Sequence, residues 1–251
     1  MEKLYHVGFD NAQGAKFAIL PGDPGRVEKI AGYLDNPRYY CQNREYTTWL
    51  GELENQTVMV MSTGMGGPST AIAVEELYQT GIRTFIRVGT CGGMAEQVIG
   101  GDVVIATGAI RQEGTCREYV PIEFPAIADL SVTNALVNGA KKLGVTWHAG
   151  VVHCKDSFYG QHSPDRMPVG YDLKQKWQAW VLAGCLASEM ESATLYIVSQ
   201  ILGARAGCVL SVVWNQEREA KGLSNPKVHD TDPPIRTAVE AIKIMIKDEC
   251  D

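Results

Sequence analysis

No run among these 251 residues approaches the roughly 20 apolar residues of a membrane span, and no apolar export segment opens the chain. A cytoplasmic location is the expectation, with no membrane partner. Basic charge is also short: 23 Lys and Arg against 29 Asp and Glu leave a net charge of −6. Nucleic acid is therefore not an expected partner, because non-specific binding to it needs a basic face. The seven cysteines are an odd count with no Cys-x-x-Cys spacing, so a disulfide framework is not expected and a reducing compartment is. His6, His148, His153, His162 and His229 show no zinc-ligand spacing, and no metal catalysis is indicated. Neither G-x-G-x-x-G nor a Walker A sequence occurs, which removes the support for a dinucleotide or nucleoside-triphosphate site. The sequon Asn55-Gln56-Thr57 is read as chance. Repeats, low-complexity tracts and linkers are absent, so one domain over 1–251 is expected.

What the chain does have is apolar content of 45% with 21% charged residues, enough for a sizeable core. Short apolar runs suggest strands at 16–20, 43–49, 57–61, 84–88, 102–110, 149–153 and 208–213, with residues 51–55 as a polar hairpin connection. Helical patterns fall at 27–34, from Pro68 or Ser69 to the stop at Gly81, at 130–143 ending on Gly144, at 172–182, and from Pro233 or Pro234 onward. Trp177 and Trp180, one turn apart, read as packing. This alternation predicts an α/β domain with a central mixed β-sheet flanked by helices.

The stretch Thr84 to Gly93, TFIRVGTCGG, is the centre of the functional reading. Phe85, Ile86 and Val88 suit a buried strand. The strand is expected to open at Gly89, Thr90, Cys91, Gly92 and Gly93, where glycine lets backbone amides approach a ligand. Arg87 breaks the apolar pattern. Its planar guanidinium suits an oxyanion, although pairing with a buried carboxylate would also explain it. The turn Pro21-Gly22-Asp23-Pro24-Gly25-Arg26 brings a second arginine to a strand end, or is an ordinary turn with a surface arginine. Residues 156–171 read as a long irregular insert with Phe158, Tyr159, Gln161, His162 and Arg166. It is either a base-binding flap or a plain surface loop. Ser188 and Glu191 match a capping box for the helix running to Leu202, while two carboxylate oxygens would also suit a sugar diol.

Seven stretches in order carry a resemblance over nearly the whole chain. They are PGDPGRVEKI (21–30), NREYTTW (43–49), STGMGGPSTAIAVEEL (62–77), IRVGTCGG (86–93), PIEFPA (121–126), FYGQHSPDR (158–166) and SEMESATL (188–195). Together they resemble the nucleoside phosphorylase-I family, in its pyrimidine-cleaving branch. The resemblance implies a single-domain nucleoside phosphorylase-type fold and the reaction uridine plus phosphate ⇌ uracil plus ribose 1-phosphate. It implies phosphate contacts from Gly22, Arg26, Arg87 and Thr90, with Arg44 joining from a neighbouring subunit. Ribose would meet Met190, Glu191 and Thr90, and His6 of a partner chain at the 5′-hydroxyl. The base would meet Phe158, Gln161, Arg166 and Gly92. Glu45, Met65 and Ser69 match a monovalent-cation (K+) site at a dimer interface. No cofactor is required beyond phosphate as co-substrate, and a homodimer with shared sites, assembled as a homohexamer, is implied. Arg87, Glu191, Gln161 and Arg166 would carry the chemistry.

Two positions depart from the family. Ser163 stands where its base-reading arginine follows the glutamine by two, leaving Arg166 five residues on. The family's Asn-Arg after the last strand appears here as Asn215-Gln216-Glu217-Arg218, making Arg218 a second candidate. Purine-cleaving members carry an aspartate where Asn215 stands, which favours a pyrimidine. The competing readings are a purine or broad-specificity phosphorylase, a nucleosidase, a non-catalytic nucleoside-binding protein and a Cys91 thiolate hydrolase. The nucleosidase has no use for three arginines, and Cys91 has no histidine adjacent in the sequence.

Overall fold

The computed structural model describes residues 3–249; Cys250 and the outermost residues of the 1–251 span lie outside the described residues. Strand β1 (Phe17–Leu20) is four apolar residues buried on both faces, and helix α1 (Val27–Ala31) follows it. A meander of β2 (Asp35–Asn43), β3 (Tyr46–Leu53) and β4 (Gln56–Met61) leads to α2 (Gly67–Gln79). Then come β5 (Thr84–Gly93), β6 (Val103–Gln112) and the two-residue β7 (Ala126–Ile127). Helix α3 (Leu130–Leu143) ends on Gly144, whose left-handed φ of 65° closes it as the sequence suggests. Beyond lie β8 (Trp147–Lys155), α4 (Phe158–His162) and α5 (Gly170–Leu182). The chain finishes with β9 (Ala187–Glu189), α6 (Ser192–Leu202), β10 (Arg205–Asn215), α7 (Gln216–Ala220) and α8 (Asp232–Asp248).

All ten strands among the described residues join one mixed sheet, as expected for the class. The open arm runs β2-β3-β4-β1-β5. Past β5 the sheet closes on itself: β5 pairs with β10, β10 with β6, β6 with β8, β8 with β9, and β9 with β5 again. Strand β5 is thus the seam between the arm and a five-stranded barrel, and its carboxyl end is fixed from both sides. Alternation along β5 sends Ile86 and Val88 to the layer of α1, α3 and α8, and Phe85 to the layer of α2 and α6. Arg87 shares the face of Phe85. Each fully buried aliphatic side chain in these layers contributes about 1.5–3 kcal/mol.

Four local expectations are corrected. Gly89 to Gly93 do not open into a loop but remain strand, paired with Leu210 to Asn215 on one side and Ala187 and Ser188 on the other. Glycine matters there for close approach: a Cβ at Gly89 would lie 2.7 Å from Arg87 Nη2, and one at Gly93 would lie 2.7 Å from Asn215 Nδ2. The 43–49 run is broken by a hairpin at Arg44-Glu45, with Arg44 at φ 52°. Gly51 lies inside β3, and the next hairpin turns on Glu54 and Asn55, both at positive φ as a two-residue turn requires. The 156–171 insert is folded: Ser157 caps α4, Pro164–Arg166 forms a 3-10 turn, and α5 begins at Gly170.

Candidate active site

A cavity of about 1120 Å³ opens at the carboxyl ends of β1 and β5. This is where ligands bind in sheets of this kind, and the volume is ample for a small-molecule ligand. Gly22, Arg26, Arg87, Thr90, Met190 and Glu191 line it. Phe158, Gln161 and Gly92 line it too, as do Glu45, Met65 and Ser69. Residues far apart in sequence are therefore brought to one place by six chain segments.

At the centre lies a buried charge cluster. Arg87 Nε donates to Glu189 Oε2 at 3.0 Å, and Nη2 pairs with Glu191 Oε2; all three residues are at most 6% exposed. The carboxylate pairing considered for Arg87 is real, yet it does not use the whole guanidinium. Nη1 is buried with no hydrogen-bond partner. That atom lies beside Gly22, 3.8 Å from where a Cβ would be. A buried, unsatisfied donor on a cation at a cavity wall costs about 1–3 kcal/mol or more until an acceptor arrives. An anion's oxygen would supply it.

The two carboxylates are held differently. Burial would raise Glu189, but Arg87, the Ser192 hydroxyl and the amides of Glu191 and Ser192 outweigh it, so its pKa is lowered. Those amides donate to Glu189 at 2.9–3.1 Å and make Glu189, not Ser188, the residue that closes the start of α6. The expected capping box does not form, because Ser188 belongs to β9 and Glu191 makes no side-chain cap. Glu191 Oε1 instead accepts from the Gly66 amide at 2.6 Å, whose positive φ of 91° is open to glycine. Burial pushes the Glu191 carboxyl up, Arg87 opposes this, and the charge on Glu189 adds to it. Glu191 is thus fixed in place with its carboxylate on the cavity wall.

Aromatic rings also line the cavity. Phe158 packs on His162 with ring centroids 4.3 Å apart, and His162 lies 6.0 Å from Trp214. Gln161 Oε1 accepts from Ser188 Oγ at 2.7 Å, and its Nε2 donates to Gln216 at 3.0 Å, so the amide is fixed in one orientation. Trp177 and Trp180, expected to be simple packing, flank His153 and line an adjoining cavity of about 300 Å³.

Several candidates lie elsewhere. Arg166 stacks over the Tyr159 ring at 5.1 Å, outside the cavity. Arg218 is tied to the carbonyls of Ser224 and Glu96 at 2.7 Å each. Asn215 is fully buried, caps α7 and donates to the carbonyls of Ala95 and Val98 at 2.8 Å. It does not line the cavity, so its contrast with aspartate loses its footing as direct base contact. His6 and Arg44 are also outside their own chain's cavity but close together, both packed on Tyr5 at 4.8 and 5.5 Å. His6 Nδ1 is paired with Glu76 at 2.5 Å. Cys91 is buried, burial pushes its thiol well up, and Sγ faces the Ser211 carbonyl, so the thiolate reading finds no activating base.

Sequence reasoning missed Glu189, Ser188 and Lys155 as cavity residues, while His162 of the candidate flap does line it. A usable signal existed for one of them. Lys155 ends the apolar run Val151-Val152-His153-Cys154, as Arg87 interrupts its own. Arg111 carries the same signal on β6 but is spent on five carbonyls, among them those of Pro121 and Cys116.

The cavity thus gathers an arginine with one unpaired nitrogen, carboxylates and aromatic rings. Uridine phosphorylase of Treponema pallidum is 54% identical over 96% of this chain and 94% of that protein. Uridine phosphorylase of Escherichia coli is 42% identical over 97% and 96%. A guanosine phosphorylase of Halorubrum lacusprofundi is 37% identical over 86% and 85%. With the phosphorylase superfamily matched across residues 16–242 as well, this chain belongs to that superfamily.

Proposed function

We propose that the protein is a pentosyltransferase that cleaves uridine with phosphate to uracil and ribose 1-phosphate. The observation that carries this reading is Arg87, which lines the cavity and whose Nη1 is buried beside Gly22 without a partner. Phosphate fits there, held by Arg87, Arg26, Thr90 and the Gly22 backbone, with an oxygen aimed at C1′. Much of the rate then comes from positioning. Glu191 and Met190 take the ribose, the carboxylate accepting from its hydroxyls. Phe158 and Gly92 bracket the base, and Gln161 reads its edge. As the phosphate oxygen bonds to C1′ the C1′–N1 bond breaks, its electron pair leaves with uracil, and the sugar passes through oxocarbenium character. No covalent enzyme intermediate forms.

The site is completed, on this reading, by a second copy of the chain. His6 and Arg44 support it: they share one surface cluster and lie outside their own cavity, as residues serving a neighbour would. Glu45, Met65 and Ser69 offer a carboxylate, a carbonyl and a hydroxyl, a hard-oxygen set suited to K+ if the neighbour supplies the rest; Ser69 Oγ lies 3.2 Å from the Met65 carbonyl. A hexamer of such dimers is the proposed assembly. No helix among the described residues is long and apolar enough to cross a membrane, and the six described cysteines are free thiols, which suits a cytoplasmic enzyme.

The test is uridine absorbance followed with and without phosphate, with inosine and guanosine in parallel. Phosphate-dependent loss of uridine with little purine cleavage is expected. Cleavage without phosphate would make it a nucleosidase, binding without turnover a carrier, and preferred purine cleavage a purine phosphorylase.

A further inference from the structure

Lys155, the last residue of β8, is 5% exposed and lines both the main cavity and the adjoining one of about 300 Å³. Its Nζ donates to Ser188 Oγ at 2.8 Å and to the Glu189 carbonyl at 3.5 Å. An ammonium has three donors, and these contacts use two. Among the described residues it pairs with no carboxylate, although Arg87, close by, has two. Glu189 and Glu191 attract it from nearby without pairing directly, so one donor of a buried cation at a cavity wall is left for a ligand's acceptor.

We propose that Lys155 binds the nucleobase and stabilises it as it leaves, a role that rests on the phosphorolytic reading above. The same Ser188 hydroxyl that accepts from Lys155 donates to Gln161, so ammonium, hydroxyl and amide form one hydrogen-bonded row along the wall. Strand β8 lies two strands from β5 by way of β9, about 10 Å at ~4.8 Å per strand, which sets Lys155 apart from the phosphate end. The arginines otherwise expected to meet the base, Arg166 and Arg218, are held outside the cavity. The charge balance is simple. Phosphate oxygen forms its bond to C1′, the C1′–N1 pair passes to the base, and the negative charge spreads over N1 and the carbonyl oxygens. Lys155 donates to one of those oxygens, where charge grows during the step. The proton the base finally takes comes from water after release.

The experiment is steady-state kinetics on Lys155→Met and Lys155→Arg, with uridine and with 5-fluorouridine, whose base is a more stable anion. For Lys155→Met, kcat on uridine falls about 100-fold, as for loss of one donor to a developing anion, with phosphate KM within about twofold of the parent. The fall on 5-fluorouridine is smaller, which a merely structural role would not produce.

The unaltered protein adds a second readout. Burial pushes the Lys155 ammonium below the usual lysine range, against the pull of Glu189 and Glu191. Turnover therefore declines on the alkaline side, and Lys155→Arg abolishes that limb. The other groups facing Lys155 are His153, His162, Glu189, Glu191, Arg87 and the Cys91 and Cys154 thiols. The thiols are pushed up by burial and do not mimic the limb. Uridine turnover by Lys155→Met within about threefold of the parent, equal losses on both nucleosides, or a raised phosphate KM would overturn the assignment. Absence of phosphate-dependent turnover in the unaltered protein would instead defeat the phosphorolytic reading itself.

Discussion

Gly89→Ala is the sharpest perturbation of the proposed phosphate site, because it moves Arg87 without removing a charge. Truncating Arg87 itself would leave Glu189 and Glu191 buried and uncompensated, a loss of about 3–5 kcal/mol that would confuse folding with function. The added Cβ would stand 2.7 Å from Nη2, 2.9 Å from Cζ and 3.0 Å from Leu210 Cδ2. Contact between such atoms is comfortable near 3.5–4.0 Å, so the guanidinium must retreat by about 1 Å. Gly89 has no positive φ, and alanine meets no backbone strain there. A displacement of that size in a positioning group costs about 100-fold in rate, or ~2.7 kcal/mol of transition-state stabilisation. Overpacking costs about 1–3 kcal/mol of stability. The assay varies phosphate at saturating uridine and records a melting curve beside it. The expected result is a raised phosphate KM and a depressed kcat in a folded protein. Unchanged phosphate kinetics with intact melting would refute the placement of phosphate at Arg87.

Three further outcomes follow from the same geometry. Glu191→Gln should cut kcat by about 100-fold while shifting stability little, since Glu189 rather than Glu191 closes α6; kinetics and melting together check it, and a collapse in melting with normal turnover would contradict it. Arg166→Ala and Arg218→Ala should leave uridine KM and kcat within about twofold, as for surface changes, whereas a tenfold loss would return an arginine to the base. His153 is buried and its pKa is pushed down to about 3 from the ordinary 6.5, chiefly by burial and then by Lys155. Below pH 6.5 the unfolded chain binds the proton and the folded one does not, so stability falls as pH falls from 6.5 to about 3. At ~1.36 kcal/mol per unit over that interval the ceiling is about 5 kcal/mol, and His153→Gln should flatten the decline in denaturant titrations.

The legible parts of the sequence were those where local chemistry decides the structure. Helix α3 was readable from its apolar spacing and Gly144, and the mixed α/β class from alternation. Arg87 was readable as one charge in an apolar strand. Strand β2 was not, because its residues are mostly exposed and carry no alternation. Barrel closure was hidden since β9 is only three residues long and pairs through the backbone. Glu189 was hidden because Glu191, two residues on, fitted a capping pattern that the strand at Ser188 forbids. The folded 156–171 segment looked irregular because two prolines and two glycines obscured the short turns that order it. Whether an arginine five residues past Gln161 reaches the base depends on how that segment packs, and spacing alone does not fix this.

The central claim is that phosphate, held at Arg87, attacks C1′ directly. The most direct test is phosphorus NMR of the products formed from uridine and phosphate. One in-line displacement on a β-nucleoside predicts ribose 1-phosphate as the α anomer, formed in equal amount with uracil. Free ribose with phosphate unconsumed, or the β anomer, would contradict it.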